Sequence, residues 1–140
     1  SKHYIDGLKF SEEVGDNEAK LIMLSDLGSL NVSLKQYQNA KNHFIEALKI
    51  AQNLTTKPKR LSALYQNLGI CHRNLQEIDS AIINYKRSLE IKRKIGDSTG
   101  IANLGINMSA LLVSQKKYDE AKKLLDFNVD YHTKKNQIDD

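Results

Sequence analysis

At 140 residues and 15.9 kDa the chain is one domain, or one segment of an array, and is long enough to bury a core. One proline, no tryptophan and an abundance of Leu, Ile, Ala, Lys, Glu, Gln and Asn point to an all-α protein. A single cysteine excludes an internal disulfide, the lack of any run of about 18 apolar residues excludes membrane insertion, and a formal charge of +4 names no class of partner by itself.

Apolar residues recur every three or four positions, which predicts about seven helices, over 2–14, 18–34, 37–53, 58–75, 78–95, 98–115 and 118–135. The opening SKHYIDGLKF lacks the apolar stretch of a signal peptide. With the lone cysteine this favours a cytoplasmic chain, a periplasmic segment of a sensor being the alternative. Residues 2–14 read as the second helix of an incomplete unit, because Tyr4, Gly7, Leu8 and Val14 match Phe44, Ala47, Leu48 and Leu54 forty residues on. Gly15-Asp16 then matches Gly96-Asp97, a glycine to end one helix and an acid to cap the next. On that reading the chain starts half-way through a unit and is a piece of a longer protein.

The rest of the chain matches itself at spacings of 41 and then 40. Leu27-Gly28 returns as Leu68-Gly69 and as Met108-Ser109, whereas Leu104-Gly105 is out of register. Ala40, Ala81 and Ala121 share a phase, as do Tyr37, Ile78 and Tyr118, and the bulky Phe44 returns as Tyr85 and Leu125. The units are 17–56, 57–97 and 98–137, preceded by the incomplete 1–16. The third is degenerate or terminal, because Asn128 stands where Ala47 and Ser88 stand in the others. Each unit is a pair of antiparallel helices joined by a short turn. One pair cannot bury its own apolar stripe, so neighbours must stack into a superhelix with a concave and a convex side.

The Leu-Gly pair, the Ala twelve residues after the Gly, the aromatic four beyond it and the small residue three further resemble tetratricopeptide (TPR) repeats of the long, roughly 40-residue variety. The resemblance covers nearly the whole chain and implies a TPR-type α-solenoid, a right-handed superhelix of helix pairs. Such repeats occur in Rap-type bacterial regulators, in adaptors of the Pins/GoLoco-binding kind, and in bacterial sensor kinases and transcription regulators. The functions it implies are a non-catalytic scaffold that binds a partner's peptide or helix, a regulatory input segment of a larger signalling protein, or a self-association module.

The run Cys71-His72-Arg73 is the one place that resembles chemistry. Consecutive helical residues point about 100° apart and cannot converge on one reacting atom. His72 falls where TPR units carry an aromatic between paired helices, so it reads as packing, and Cys71 reads as a small buried hydrophobe. His3, His43 and His132 are isolated from any ligand at metal spacing, and no phosphate loop or nucleophile elbow is present. The chain therefore reads as no enzyme, with no metal and no cofactor.

In TPR arrays the first helix of each pair lines the concave groove. The corresponding phases here are Asp26 and Ser29, then Asn67, Ile70, Arg73 and Asn74, then Asn107, Ala110, Val113 and Ser114. Asp26, Asn67 and Asn107 share one phase, and a side-chain amide both donates to and accepts from a peptide backbone. Capping or bridging of neighbouring helices is the alternative use of the same amides. The Lys and Asn clamp with which some TPR domains hold a chaperone's C-terminal carboxylate is not matched, since Ser25, Ser29, Gln66, Ile70, Ile106 and Ala110 occupy those places. Basic residues gather on second helices and alternate with Glu46, Glu90, Asp119, Glu120 and Asp126, the pattern of a solvated face, which argues against nucleic acid as partner. Helix 98–114 has no charged side chain at all and is apolar on more than one face. It is expected to be covered by a further repeat, a capping helix, a second copy of the chain or the ligand.

Overall fold

The computed structural model describes the backbone of residues 2–126 and the side chains of residues 15–126. It contains α1 (Lys2–Ser33), α2 (Tyr37–Gln52), α3 (Pro58–Asn74), α4 (Ile78–Ile95) and α5 (Ser98–Ser114), with a further helix, α6, over 118–126; no strand occurs among the described residues. Asn128, His132, the rest of the helix expected to 135 and the polar 133–140 lie outside the described residues, as do the side chains of His3, Tyr4, Gly7, Leu8 and Val14.

The expected break between residues 14 and 18 does not form. α1 runs unbroken through Gly15-Asp16 for 32 residues. The same dipeptide ends α4, where Gly96 takes φ 71° and its N–H donates to the Arg93 carbonyl while the Asp97 N–H reaches Lys92. A glycine permits the left-handed conformation without imposing it. At Gly15 nothing lies within 4 Å of the place a Cβ would occupy, so no packing contact holds the chain in a turn there.

The helix–helix turns repeat in detail. Lys35, Gln76 and Lys116 all adopt positive φ, at 59°, 63° and 60°. At each, the residue's N–H bonds the carbonyl three back and the next N–H bonds the carbonyl five back: Lys35 to Val32 with Gln36 to Asn31, Gln76 to Arg73 with Glu77 to His72, and Lys116 to Val113 with Lys117 to Leu112. This paired pattern satisfies the last carbonyls of each first helix and turns the chain sharply enough for the second to run back. At two of the turns a polar pair bridges the same positions: Asn31 Nδ2 donates to Gln36 Oε1 at 2.8 Å, and His72 Nδ1 sits 3.3 Å from Glu77 Oε1.

The chain divides into two compact units, Ser1–Lys57 and Pro58–Asp140. In the first, α1 and α2 form a hairpin in which Ala40, Phe44 and Ala47 are buried, and the Phe44 ring lies directly over Gly28. In the second, α3 and α4 form the equivalent hairpin with the Tyr85 ring over Gly69, and α5 packs on α4. The core of this unit joins Ala81, Ile82, Tyr85 and Leu89 of α4 to Ile101, Leu104, Met108, Leu111 and Leu112 of α5, with Ala121 of α6. Buried Ser62 and Ser88 tie α3 to α4, since the Ser88 hydroxyl donates to the Ser62 carbonyl at 2.8 Å and the two hydroxyls lie 2.9 Å apart. Asp97 caps α5, its Oδ1 accepting from the Gly100 N–H at 3.0 Å.

Candidate interaction face

Asn67, Ile70, Arg73 and Asn74 lie on α3 and Asn107, Ala110, Val113 and Ser114 on α5, four equivalent pairs forty residues apart within the second unit. Ile70 packs half-buried against the core that α4 and α5 share. It is thus the edge of the core as much as an open floor. Ala110 is exposed beside Ile106 and Val113, which are 60 % and 47 % exposed. These three recur at i, i+4 and i+7 and form one apolar stripe.

On α5, Ile101, Leu104, Met108, Leu111 and Leu112 are buried while the Ile106–Val113 stripe is exposed. Among the described residues α4 and α6 cover only part of the circumference, and the further repeat, capping helix, second copy or ligand expected over the remainder is not among them.

The polar candidates separate into two groups. Asn74 donates through Nδ2 to the Ile70 carbonyl at 2.8 Å, and the Ser114 hydroxyl donates to Leu111 at 2.6 Å, so both are engaged by their own helix. Asn67 and Asn107 are half-buried, and no hydrogen bond among the described residues engages either side-chain amide. Among the described residues neither of them caps or bridges a helix. Asp26 and Ser29 belong to the first unit, where both are exposed on α1.

Cys71, His72 and Arg73 have three different surroundings. Cys71 is fully buried, His72 is turned toward Glu77, and Arg73 is half-buried near Tyr85. Burial pushes the Tyr85 phenol above its usual pKa, the Arg73 guanidinium opposes that rise, and the Cys71 thiol adds to it. The Tyr85 hydroxyl is buried without a hydrogen-bond partner. Among the described residues no group of three or more His, Cys, Asp or Glu side chains could hold a metal ion. Nor is any helix among them long and apolar enough to cross a membrane.

The charged residues lie elsewhere. On α4 and α6 Lys86 meets Glu120 at 3.0 Å, which holds the Glu120 carboxyl below its usual range first by hydrogen bonding and then by charge. Lys94 lies 3.6 Å from Glu90 one turn away, and the Arg87 guanidinium sits 5.8 Å from the Tyr65 ring centroid. A hollow of about 470 Å³ opens between α4, α5 and α6, with Leu89, Met108 and Leu112 at its base and Lys86 and Glu120 among its rim residues.

Antiparallel helix hairpins with a ring seated over a glycine, repeated 41 residues apart, define an α-solenoid of the helix-pair type. The tetratricopeptide repeat family model matches residues 19–94 and 59–126, and the chain belongs to that family. No curated protein matches it. Among solved structures it is similar to BtubC (BKLC) from P. vanneervenii, at 22% identity and a TM-score of 0.75 over 96% of this chain and 56% of that one. It is similar to the TPR domain of Arabidopsis FLU, at 19% identity and a TM-score of 0.73 over 84% of this chain and 98% of that one. It is also similar to a Rap protein solved in complex with competence and sporulation factor, at 19% identity and a TM-score of 0.65 over 84% of this chain and 31% of that one. The chain thus spans about half of BtubC and a third of the Rap protein.

Proposed function

We propose that the chain is a non-catalytic interaction module whose α3–α5 face binds an extended or helical peptide of a protein partner, the units 17–56, 57–97 and 98–137 acting as successive repeats. The observation that carries this reading is the pair of half-buried amides, Asn67 and Asn107, which make no hydrogen bond among the described residues and stand at equivalent places. A side-chain amide that no side chain or carbonyl of its own helix holds is free to donate to and accept from a peptide backbone. Ile106, Ala110 and Val113 supply the apolar contact beside them, and Arg73 the one charge. The fold shared with a Rap protein solved with competence and sporulation factor is consistent with such a role.

The test is site-specific photocrosslinking in cells. A crosslinker at Ile106 or Val113 should yield a discrete protein adduct, and one at Ile83, an exposed position on α4, should not. The double variant Asn67→Ala/Asn107→Ala should lower adduct yield about tenfold or more, since two hydrogen bonds of about 1 kcal/mol each are lost. Equal yield from a folded double variant would remove these anchors.

A further inference from the structure

Two equivalent positions change character together along the chain. Val32 of α1 and Phe44 of α2 occupy them first, and Val113 of α5 and Leu125 of α6 occupy them last. Between these, on α3 and α4, the same places hold Arg73 and Tyr85. An arginine and a phenol thus stand together where the other repeats have two apolar side chains.

Neither polar group is satisfied by the fold. The Tyr85 ring lies on Gly69 of α3, and Arg73 follows one turn further along the same side of that helix. The Tyr85 hydroxyl is buried and has no hydrogen-bond partner. Packing does not require it, because Phe44 fills the equivalent place without one, and an unbonded buried hydroxyl weakens a fold. Arg73 is half-buried and close enough that its charge opposes the upward shift of the phenol. Among the described residues no carboxylate and no side-chain hydrogen bond engages its guanidinium, and the nearest acid in sequence, Glu77, lies 3.3 Å from His72 instead. A guanidinium offers donors only, and a phenol can add one more. What this corner lacks is an acceptor bearing negative charge.

We propose that Arg73 and Tyr85 form an anion subsite that holds an aspartate or glutamate side chain of the bound peptide. The guanidinium meets the carboxylate as a fork and turns outward to admit it, and the Tyr85 hydroxyl donates a further bond. Charge-assisted bonds of this kind are about twice as strong as neutral ones, so the acid selects among peptides. One guanidinium matches a single negative charge, whereas doubly charged phosphate is recognised by clusters of arginine. The inference rests on the α3–α5 face as the binding surface, and adds the class of peptide that the face selects.

Blocked amino acids test the subsite without a known partner. N-acetyl-glutamate methylamide and its glutamine counterpart are titrated into the labelled chain, and NMR follows the Arg73 Nε–H and the Tyr85 ring. The glutamate probe should shift both sets of signals saturably, and bind roughly tenfold more tightly than the glutamine probe. Arg60, exposed at the start of α3, is the control, and its Nε–H should respond far more weakly. Tyr85→Phe should lower glutamate affinity about fivefold at Arg73 and leave glutamine unchanged. Arg73→Leu should abolish the preference read at Tyr85, and Arg73→Lys should recover part of it. Equal binding of the two probes, equal response at Arg60, or no response at Arg73 overturns the proposal. So does a Tyr85→Phe chain that binds glutamate as wild type does, or tighter binding of N-acetyl-phosphoserine methylamide. Equal binding of the two probes with crosslinking at Ile106 and Val113 intact overturns this subsite alone, whereas failed crosslinking overturns the face beneath it.

Discussion

Replacing Gly69 with alanine sets two opposed effects against each other at one position. Gly69 is buried inside α3, and an added Cβ would stand 2.5 Å from both Cδ1 and Cε1 of Tyr85. Ordinary carbon contacts begin near 3.5 Å, so the ring would have to retreat by about 1 Å. Tyr85 is fully buried, so its ring is surrounded by protein on all sides. Overpacking of this kind costs typically 1–3 kcal/mol, and simultaneous contact with two ring carbons puts the cost near the upper end, about 3 kcal/mol. Against it stands the gain of about 1 kcal/mol from replacing glycine by alanine within a helix. The net loss is about 2 kcal/mol, or roughly 8 °C in thermal midpoint for a chain of this length. Gly15 is the internal control. It too is helical, has nothing within 4 Å of the Cβ position, and should gain up to about 1 kcal/mol on substitution by alanine. In a Tyr85→Leu background the Gly69→Ala penalty should largely vanish, giving a coupling energy of about 2 kcal/mol. Thermal or urea unfolding of the four proteins reads this directly. A Gly69→Ala protein more stable than wild type would refute the close-approach reading.

Tyr85→Phe removes a buried hydroxyl that has no partner, and Phe44 already fills the equivalent place, so the variant should be more stable by about 1 kcal/mol. Because burial holds the folded phenol above its ordinary pKa of 10.0, the stability tied to its neutral form is intact below that pH and is lost as pH rises beyond it. The alkaline loss of thermal midpoint should therefore be smaller in Tyr85→Phe. Gln76→Gly relieves a non-glycine residue at φ 63°, a strain of about 1 kcal/mol partly offset by the looser unfolded chain, for a net gain of about 0.5 kcal/mol in urea titrations. Asp97→Ala removes the cap on α5 and should cost about 1 kcal/mol, with faster amide exchange at Gly100.

The repeat was legible because it is written in size as well as polarity. Gly28 and Gly69 are spaced like Phe44 and Tyr85, and each ring needs the missing Cβ opposite it. Helix ends were legible for the same reason, since the turns fall at equivalent places. What could not be read was any feature in which identical letters take different backbone states. Gly-Asp ends α4 yet lies within α1, and Lys35, Gln76 and Lys116 carry positive φ that their side chains do not advertise. The Asn31–Gln36 and His72–Glu77 pairs across successive turns were missed because their chemistry differs although their spacing of five is the same. At the candidate face, phase alone placed Asn67 and Asn107 together with Asn74 and Ser114. Only the hydrogen bonds of the last two to their own helix set them apart from the proposed anchors.

The charge distribution leads to a final prediction, about salt. Recognition by the α3–α5 face would draw on two amides, an apolar stripe and one guanidinium, since α5 carries no charged side chain and the Lys86–Glu120 and Lys94–Glu90 pairs lie on α4 and α6. Screening shortens to about 3 Å at 1 M salt and weakens exposed charge contacts, but it leaves amide–backbone bonds and apolar burial in place. With one charge involved, affinity for the crosslinked partner should fall only a few-fold between 50 and 200 mM salt, as measured by calorimetry or polarisation. A nucleic-acid ligand held by the basic residues of the second helices would behave otherwise, because neutralising six to ten phosphates costs about 10³ to 10⁵ in affinity over the same range. A steep salt slope would therefore displace both the proposed face and the class of partner, and would assign recognition to Lys86, Arg87 and Lys94 on α4.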